Sequence, residues 1–146
     1  MSKEEHQDGK NSVTEVENGL EERFLISEEV EFENLIDGAE NLVKVRKESG
    51  KPKILLRGKD SSLRDRIFLY LLGAEISYRM GRREGREVTT KEVSEEFRIE
   101  SKAASARISE LQDEGFVRRE GRGKYILDLT HADDKIQSLR EKYKVK

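Results

Sequence analysis

The stretch that most constrains the fold of this chain runs from residue 88 to residue 127. Residues 91–97 suit a short helix, and residues 101–115 suit a second helix that follows after a brief turn. Two short runs, 116–120 and 124–128, then flank an arginine that lies between two glycines, which is a pattern typical of a β-hairpin. The stretch therefore predicts helix, turn, helix and hairpin, in that order.

The apolar residues of this stretch have the spacing of two helices that pack on one core. Val93 and Phe97 are four residues apart, and Ile99 follows in the turn. Thr89 or Thr90 suits an N-cap, because a threonine side chain can accept from a free backbone N–H of the first turn. The second helix shows a core stripe and ends at a glycine; these residues are Ala104, Ile108, Leu111 and Gly115.

These residues together resemble the winged helix-turn-helix domains of the MarR and ArsR-like transcription regulators. The resemblance covers about 40 of the 146 residues and depends on Thr89, Val93, Phe97, Ile99, Ser105, Ile108, Leu111 and the segment 115–117. It implies a mainly α fold with a small β-hairpin, in which the second helix lies in the major groove of DNA and the hairpin, the wing, lies beside it. It also implies a transcription regulator that dimerises through helices flanking this domain.

The charges of the chain are divided unevenly between its two parts. Residues 1–50 contain 6 basic and 14 acidic side chains, whereas residues 51–146 contain 23 basic and 17 acidic ones. The overall net charge of -2 therefore conceals a basic C-terminal part, and it does not argue against a nucleic-acid partner.

The residues predicted to contact double-stranded DNA lie on the second helix and on the hairpin, apart from Thr90 at the start of the first helix. Lys102 is in the first turn of the helix, where the helix dipole also favours phosphate, and serine hydroxyls can bind phosphate or base edges. Arg122 is at the hairpin tip, where the family resemblance implies a contact with the minor groove or with phosphates. The predicted set is Thr90, Ser101, Lys102, Ser105, Arg107, Ser109, Arg118, Arg119, Arg122 and Lys124.

Two departures from the family pattern favour weak sequence preference. Ala106 stands where the family often has Arg or His, and Glu110, Asp113 and Glu114 make the end of the second helix acidic. Readout through the wing and through DNA shape is then favoured. The same departures leave open an alternative, in which the winged helix is a protein–protein interaction module within a transcription or replication assembly.

Three segments are expected along the chain. The composition of residues 1–22 predicts a disordered acidic tail, because the segment contains too few apolar groups to offset the entropy of ordering. Residues 23–52 predict one amphipathic helix, capped by Ser27 and stopped by Gly50 and Pro52, with the apolar stripe Phe32, Leu35, Ile36, Ala39, Leu42 and Val43. This stripe suits either core packing or a homodimer through Phe32–Val43 and the C-terminal helix.

Residues 53–146 are expected to form the winged helix-turn-helix domain, including its C-terminal helix. Residues 53–57 suggest a short strand or connector. Asp60 or Ser61 can cap a helix that runs to about Met80 and is apolar on almost every side, so it is expected to be buried. Thr130 can cap the last helix, whose apolar face is Ala132, Ile136, Leu139 and Tyr143.

Several function classes find little support in the sequence. The absence of cysteine excludes disulfides and thiolate metal sites, and His131 beside Asp133 and Asp134 is too small a ligand set to favour a metal. No phosphate loop or nucleophile–base pair is visible, so we expect neither an enzyme nor a cofactor. The longest apolar run, Ile67 to Leu72, is too short to cross a bilayer, and the first residues lack the apolar core of a signal peptide. A soluble cytoplasmic protein without a membrane partner is therefore expected.

Overall fold

The computed structural model of the protein describes residues 19–145, which are mainly helical with two small antiparallel sheets. The chain divides into two compact units, Met1–Val30 and Glu31–Lys146. In the first unit residues 19–24 are helical, and the backbone N–H of Val30 donates to the Ser27 hydroxyl at 3.2 Å. Ser27 therefore acts as the predicted N-cap. The predicted disordered tail lies outside the described residues, except for residues 19–22, which are helical.

The second unit contains the strands and all the longer helices. Helix α1 (Glu28–Ala39) enters it at Glu31. The elements that follow are β1 (Val43–Val45), β2 (Pro52–Ile54), α2 (Leu63–Arg79), β3 (Val88–Thr89), α3 (Thr90–Phe97), α4 (Ser101–Asp113), β4 (Val117–Gly121), β5 (Lys124–Leu127) and α5 (Ala132–Lys142). Strands β1 and β2 form one antiparallel sheet, and the other sheet has the order β3-β5-β4.

Helix α2 is the centre of this unit and is buried as its apolar sequence predicts. Residues 67–72 are at most 1% exposed, and the helix packs against β1, β2, α4 and β5. Its N-cap is Ser62, whose hydroxyl accepts from the backbone N–H of Asp65 at 3.1 Å. The prediction of Asp60 or Ser61 as the cap was therefore wrong by one or two residues.

The structure contradicts the prediction of a single helix across residues 23–52. Helix α1 ends at Ala39, and Val43 lies in strand β1, where it pairs with Ile54 of β2. A Cβ atom on Gly73 of α2 would lie 2.6 Å from Pro52 and 3.0 Å from Val43. The two strands can pack on α2 only because residue 73 has no side chain. Leu42 and Val43 thus join the core from a turn and a strand.

The stretch from 88 to 127 forms the predicted elements within one or two residues. The hydroxyl of Thr89 accepts from the backbone N–H of Glu92 at 3.0 Å, so Thr89 is the N-cap of α3. Helix α4 ends at Asp113 with Glu114 as its C-cap, and Gly115 follows with a φ of 87°. The backbone N–H of Phe116 donates to the carbonyl of Leu111 at 3.0 Å, as in a Schellman C-terminus. Strand β3 was not predicted.

Helix α5 closes the unit against α1 and α2. It begins at Ala132 after His131, so the prediction of Thr130 as its cap was wrong; instead the backbone N–H of Thr130 donates to Asp128. Arg140 donates to the carbonyl of Gly38 at 2.9 Å, where α1 and α5 approach closely. Among the helices within residues 19–145, none is both long enough and apolar enough to cross a membrane.

Candidate nucleic-acid interface

Helix α4 buries one face and exposes the opposite one. Ala104, Ile108 and Leu111 have no exposed area and hold the helix on the core. The exposed positions are Ser101, Lys102, Ala103, Ser105, Ala106, Ser109, Gln112 and Asp113. All the α4 residues predicted to contact DNA therefore lie on the solvent face, except Arg107, which is only partly exposed.

The acidic end of α4 is partly neutralised by arginines. Arg64 of α2 lies 3.8 Å from Glu110 and 3.5 Å from Glu114, and Arg107 lies 2.9 Å from Glu110. These pairs are partly exposed and stabilise the fold little. They do reduce the repulsion that this end of the helix would exert on phosphate. Arg107 already has a partner within its own helix, so it is a less available contact than Lys102.

The hairpin of β4 and β5 exposes all four of its predicted cations. Arg118 lies opposite Ile126 and Arg119 lies opposite Tyr125. The ladder is then interrupted by a register shift before Gly121, and the turn contains Gly123 with a φ of 70°. The exposed cations are Arg118, Arg119, Arg122 and Lys124.

One backbone hydrogen bond joins this hairpin to the start of α3. The N–H of Thr90 donates to the carbonyl of Gly123 at 3.1 Å, and Thr89 pairs with Lys124 across β3 and β5. Thr90 is therefore half-buried beside the hairpin turn. Helix α4 joins β4 directly through Gly115 and Phe116. Within residues 19–145, no ion pair or hydrogen bond links the exposed side chains of α4 to the hairpin cations.

A cluster around Glu92 fixes α3 to α2 and to the loop that precedes β3. Arg83 donates to the two Glu92 carboxylate oxygens at 2.9 and 2.7 Å, and the Tyr70 hydroxyl donates at 2.6 Å. Burial acts to raise the pKa of Glu92, but the hydrogen bonds from Arg83 and Tyr70 outweigh it and lower that pKa. Burial and the bond to Glu92 together raise the pKa of Tyr70. The sequence analysis missed this cluster.

A second cluster joins the start of α2 to α5 around the buried Asp65. The Tyr143 hydroxyl donates to Asp65 at 2.6 Å, and the ammonium groups of Lys135 and Lys142 each lie 3.0 Å away. Burial acts to raise the pKa of Asp65, but these three donors outweigh it and hold that pKa well below its ordinary value. This cluster explains how a carboxylate with no exposed area stays charged. Its role is structural, because it closes α5 onto the core.

The sequence analysis also missed a group of cations on the β1–β2 hairpin. The sequence places Lys44, Arg46, Lys47 and Lys51 in the predicted helix segment and Lys53 in the connector that follows, so it does not predict their shared surface. The available signal was the alternation Val43-Lys44-Val45, which has the period of a strand rather than of a helix. Within residues 19–145, no cluster of three His, Cys, Asp or Glu side chains is arranged to hold a metal ion, and this includes the surroundings of His131.

Comparison of the chain with protein-family models, with curated proteins and with solved structures found no match. Of the ten residues predicted from the sequence, eight are exposed, and Thr90 and Arg107 are the two that are not.

Proposed function

We propose that this chain binds duplex DNA as a winged helix-turn-helix protein, with α4 as the helix that enters the major groove and β4–β5 as the wing. The observation that carries the proposal is the exposure of eight of the ten candidate side chains on two directly connected elements. The bond from Thr90 to Gly123 supports it further, because it fixes the wing turn beside the helix pair. The order of α2, α3, α4 and hairpin is also the order of a winged helix.

Helix α4 contributes mainly phosphate contacts in this proposal. Its 13 residues span about 20 Å, and the major groove, which is about 12 Å wide, admits a helix. Small side chains such as Ala106 allow close approach, but they offer no bidentate bond to a base. Lys102 and the exposed serines bind phosphate or single base-edge groups. We therefore expect low sequence selectivity, with transcription regulation as the proposed biological role.

The wing supplies the larger share of positive charge. Arg122 is at its tip, and Arg118 and Lys124 lie on its two strands. Each cation that binds a phosphate releases counterions, so the logarithm of the binding constant falls as the logarithm of the salt concentration rises. A strong salt dependence is therefore expected.

The test is a fluorescence anisotropy titration of mixed-sequence duplex at several salt concentrations. Arg122→Ala with Lys124→Ala is expected to weaken binding and to reduce the salt slope by about 1 for each cation removed. Lys102→Ala is expected to weaken binding as well. A matched control removes two exposed cations elsewhere, Arg23→Ala and Lys144→Ala. A wing variant that binds like the native chain would remove the wing from the interface, and an unaffected Lys102→Ala variant would remove α4.

A protein-interaction module is the second candidate, favoured by an open apolar groove beside α1. The α1 stripe is divided: Leu35 and Ala39 are buried, whereas Phe32 and Ile36 line a groove of about 500 Å³ with Met80, which is 54% exposed. This groove suits a homodimer through α1. Light scattering in the titration buffers distinguishes the candidates. No DNA affinity at low salt, together with a particle of twice the 16.9 kDa chain mass, would favour the protein-interaction module over DNA binding.

A further inference from the structure

The β1–β2 hairpin has a dense and unpaired positive charge. Between residues 43 and 54 there is one acidic residue, Glu48, and the exposed cations are Lys44, Arg46, Lys47, Lys51 and Lys53. Arg57 and Lys59 follow and are also exposed. None of these cations lies within 4 Å of a carboxylate of residues 19–145. Most surface cations of proteins are simply exposed to solvent. The arrangement of these cations therefore decides whether they form a binding surface.

The strand register places two of these cations directly opposite each other. Lys44 is the partner of Lys53, and both side chains are on the exposed face of the two-stranded sheet. Directly opposite side chains of an antiparallel pair lie about 5 Å apart at Cβ, and like charges in that position repel and destabilise the pair. Among the described residues no carboxylate within 4 Å relieves this repulsion, and a bound anion would relieve it.

The hairpin presents these cations on a fixed scaffold. Its opposite face is buried against α2, with Val43 and Pro52 packed over Gly73. Its turn is held at two points, because the Ser77 hydroxyl donates to the carbonyl of Gly50 at 2.7 Å and Arg82 donates to the carbonyl of Lys47 at 3.0 Å. Cations held in this way lose little backbone freedom when they bind.

Helix α3 lies between this hairpin and the wing. Arg46 and Lys53 line a cleft with Glu96 and Phe97 at the end of α3, and Thr90 at its start is bonded to the wing turn. The eight residues of α3 span about 12 Å, similar to the width of the DNA major groove. The two basic hairpins therefore lie beside opposite ends of a helix of about that length.

We propose that the β1–β2 hairpin is a second phosphate-binding surface, which takes the backbone of the same DNA duplex that α4 and the wing bind. This inference rests on the proposed function and adds a contact to it. Lys44 and Lys53 bind phosphate oxygens across the sheet face, and bound phosphate offsets their mutual repulsion. The contact is independent of base sequence, which agrees with the low selectivity expected from α4.

The test is the double substitution Lys44→Gln with Lys53→Gln in the full chain. Salt-dependent anisotropy with a mixed-sequence duplex should show weaker binding and a salt slope smaller by about 2, which is about 1 for each lysine. Arg23→Gln with Lys144→Gln removes the same charge elsewhere and should leave the slope unchanged. The hairpin variant should also melt at the native temperature or above it, because a like-charge pair has been removed.

The outcomes separate this inference from the proposed function. If the native chain binds no duplex at low salt, both fail. If the wing variant is weakened but the hairpin variant keeps the native slope, only the second surface is wrong. A control variant that loses as much slope as the hairpin variant would reduce the effect to overall charge and would overturn the inference. It would also be overturned if the hairpin substitutions abolished binding to anionic lipid vesicles and left the DNA titration unchanged.

Discussion

The two basic hairpins differ in how their charges face each other. In β4–β5 each arginine of the ladder lies opposite an uncharged residue: Arg118 faces Ile126, and Arg119 faces Tyr125. In β1–β2 the lysines face each other. A hairpin of this size can therefore be basic without cross-strand repulsion, so the Lys44–Lys53 pair is not a necessary result of high charge.

The hairpins also differ in what fixes their turns. The turn of β1–β2 is held from outside, by Ser77 and Arg82. The turn of β4–β5 is held mainly by its own residues, since Arg119 donates to the carbonyl of Gly121 at 3.2 Å, and its link to α3 is one backbone bond from Thr90. The first turn is thus part of the core packing, whereas the second is a surface turn. Two pairs of matched variants test this difference, and a third measurement concerns a residue beside both hairpins.

The largest effect is expected from alanine at the two turn glycines. Both have positive φ, 73° at Gly50 and 70° at Gly123, so alanine is strained at either position. A Cβ atom at Gly50 would also lie 2.1 Å from the backbone carbonyl of Arg82, whereas at Gly123 it would meet nothing within 4 Å. Gly50→Ala should lower the free energy of unfolding by about 3 kcal/mol or more, and Gly123→Ala by about 1 kcal/mol, measured by urea denaturation. Equal losses of unfolding free energy in the two variants would contradict the difference between the two turns.

An intermediate effect is expected from removing the side chains that hold the turns. Ser77→Ala leaves the carbonyl of Gly50 buried without this donor, which should cost about 2 kcal/mol of folding stability. Arg119→Ala removes an exposed bond and should change stability by less than about 0.5 kcal/mol. Urea denaturation of both variants checks the pair, and a loss from Arg119→Ala as large as that from Ser77→Ala would show that both turns depend on their side chains.

The smallest effect is expected at Glu92, which lies close to residues that contact both hairpins. It lies in the first turn of α3, two residues from Thr90, which is bonded to the β4–β5 turn, and the charge of Lys51 also lowers its pKa. A carboxylate whose pKa is lowered by folding stabilises the protein above its ordinary pKa, 4.5 here, and loses that contribution as the pH falls through the lowered value.

The stability difference between the native chain and Glu92→Gln should therefore be greatest near pH 7 and should shrink as the pH falls below about 4.5. Urea denaturation at a series of pH values measures it, and taking the difference removes the contribution of Asp65, which titrates in both proteins. A difference that stays constant down to pH 3 would contradict the ion pair with Arg83.

The elements that the sequence predicted correctly are those with short-range signals. Thr89 caps α3 three residues before its partner, and Gly115 ends α4 within one turn of Leu111. The error at residues 40–54 has a local and a long-range part. The alternation Val43-Lys44-Val45 is a short strand signal beside a longer helical stripe. The room for Val43 against α2 depends on Gly73, thirty residues later, and nothing near Val43 in the chain indicates that space.

The candidate site was predictable as a set of residues but not as a set of contacts. The periodicity of α4 correctly separated Lys102 and the serines from the core. It could not show that Arg107 is paired with Glu110, because an arginine on the flank of a helix can turn in several directions. Nor could it show that Arg64 would reach Glu110 and Glu114 from another helix.

The cluster around Asp65 has a consequence for the order of events during synthesis. Asp65 lies in the first turn of a buried helix, yet its three donors come from Lys135, Lys142 and Tyr143, about seventy to eighty residues later in the chain. Until the ribosome has made and released that segment, the carboxylate has no partner and the burial of α2 is opposed by a bare charge. Residues 31–145 are therefore expected to fold as one step after Tyr143 has emerged, and not progressively from the first helix onward.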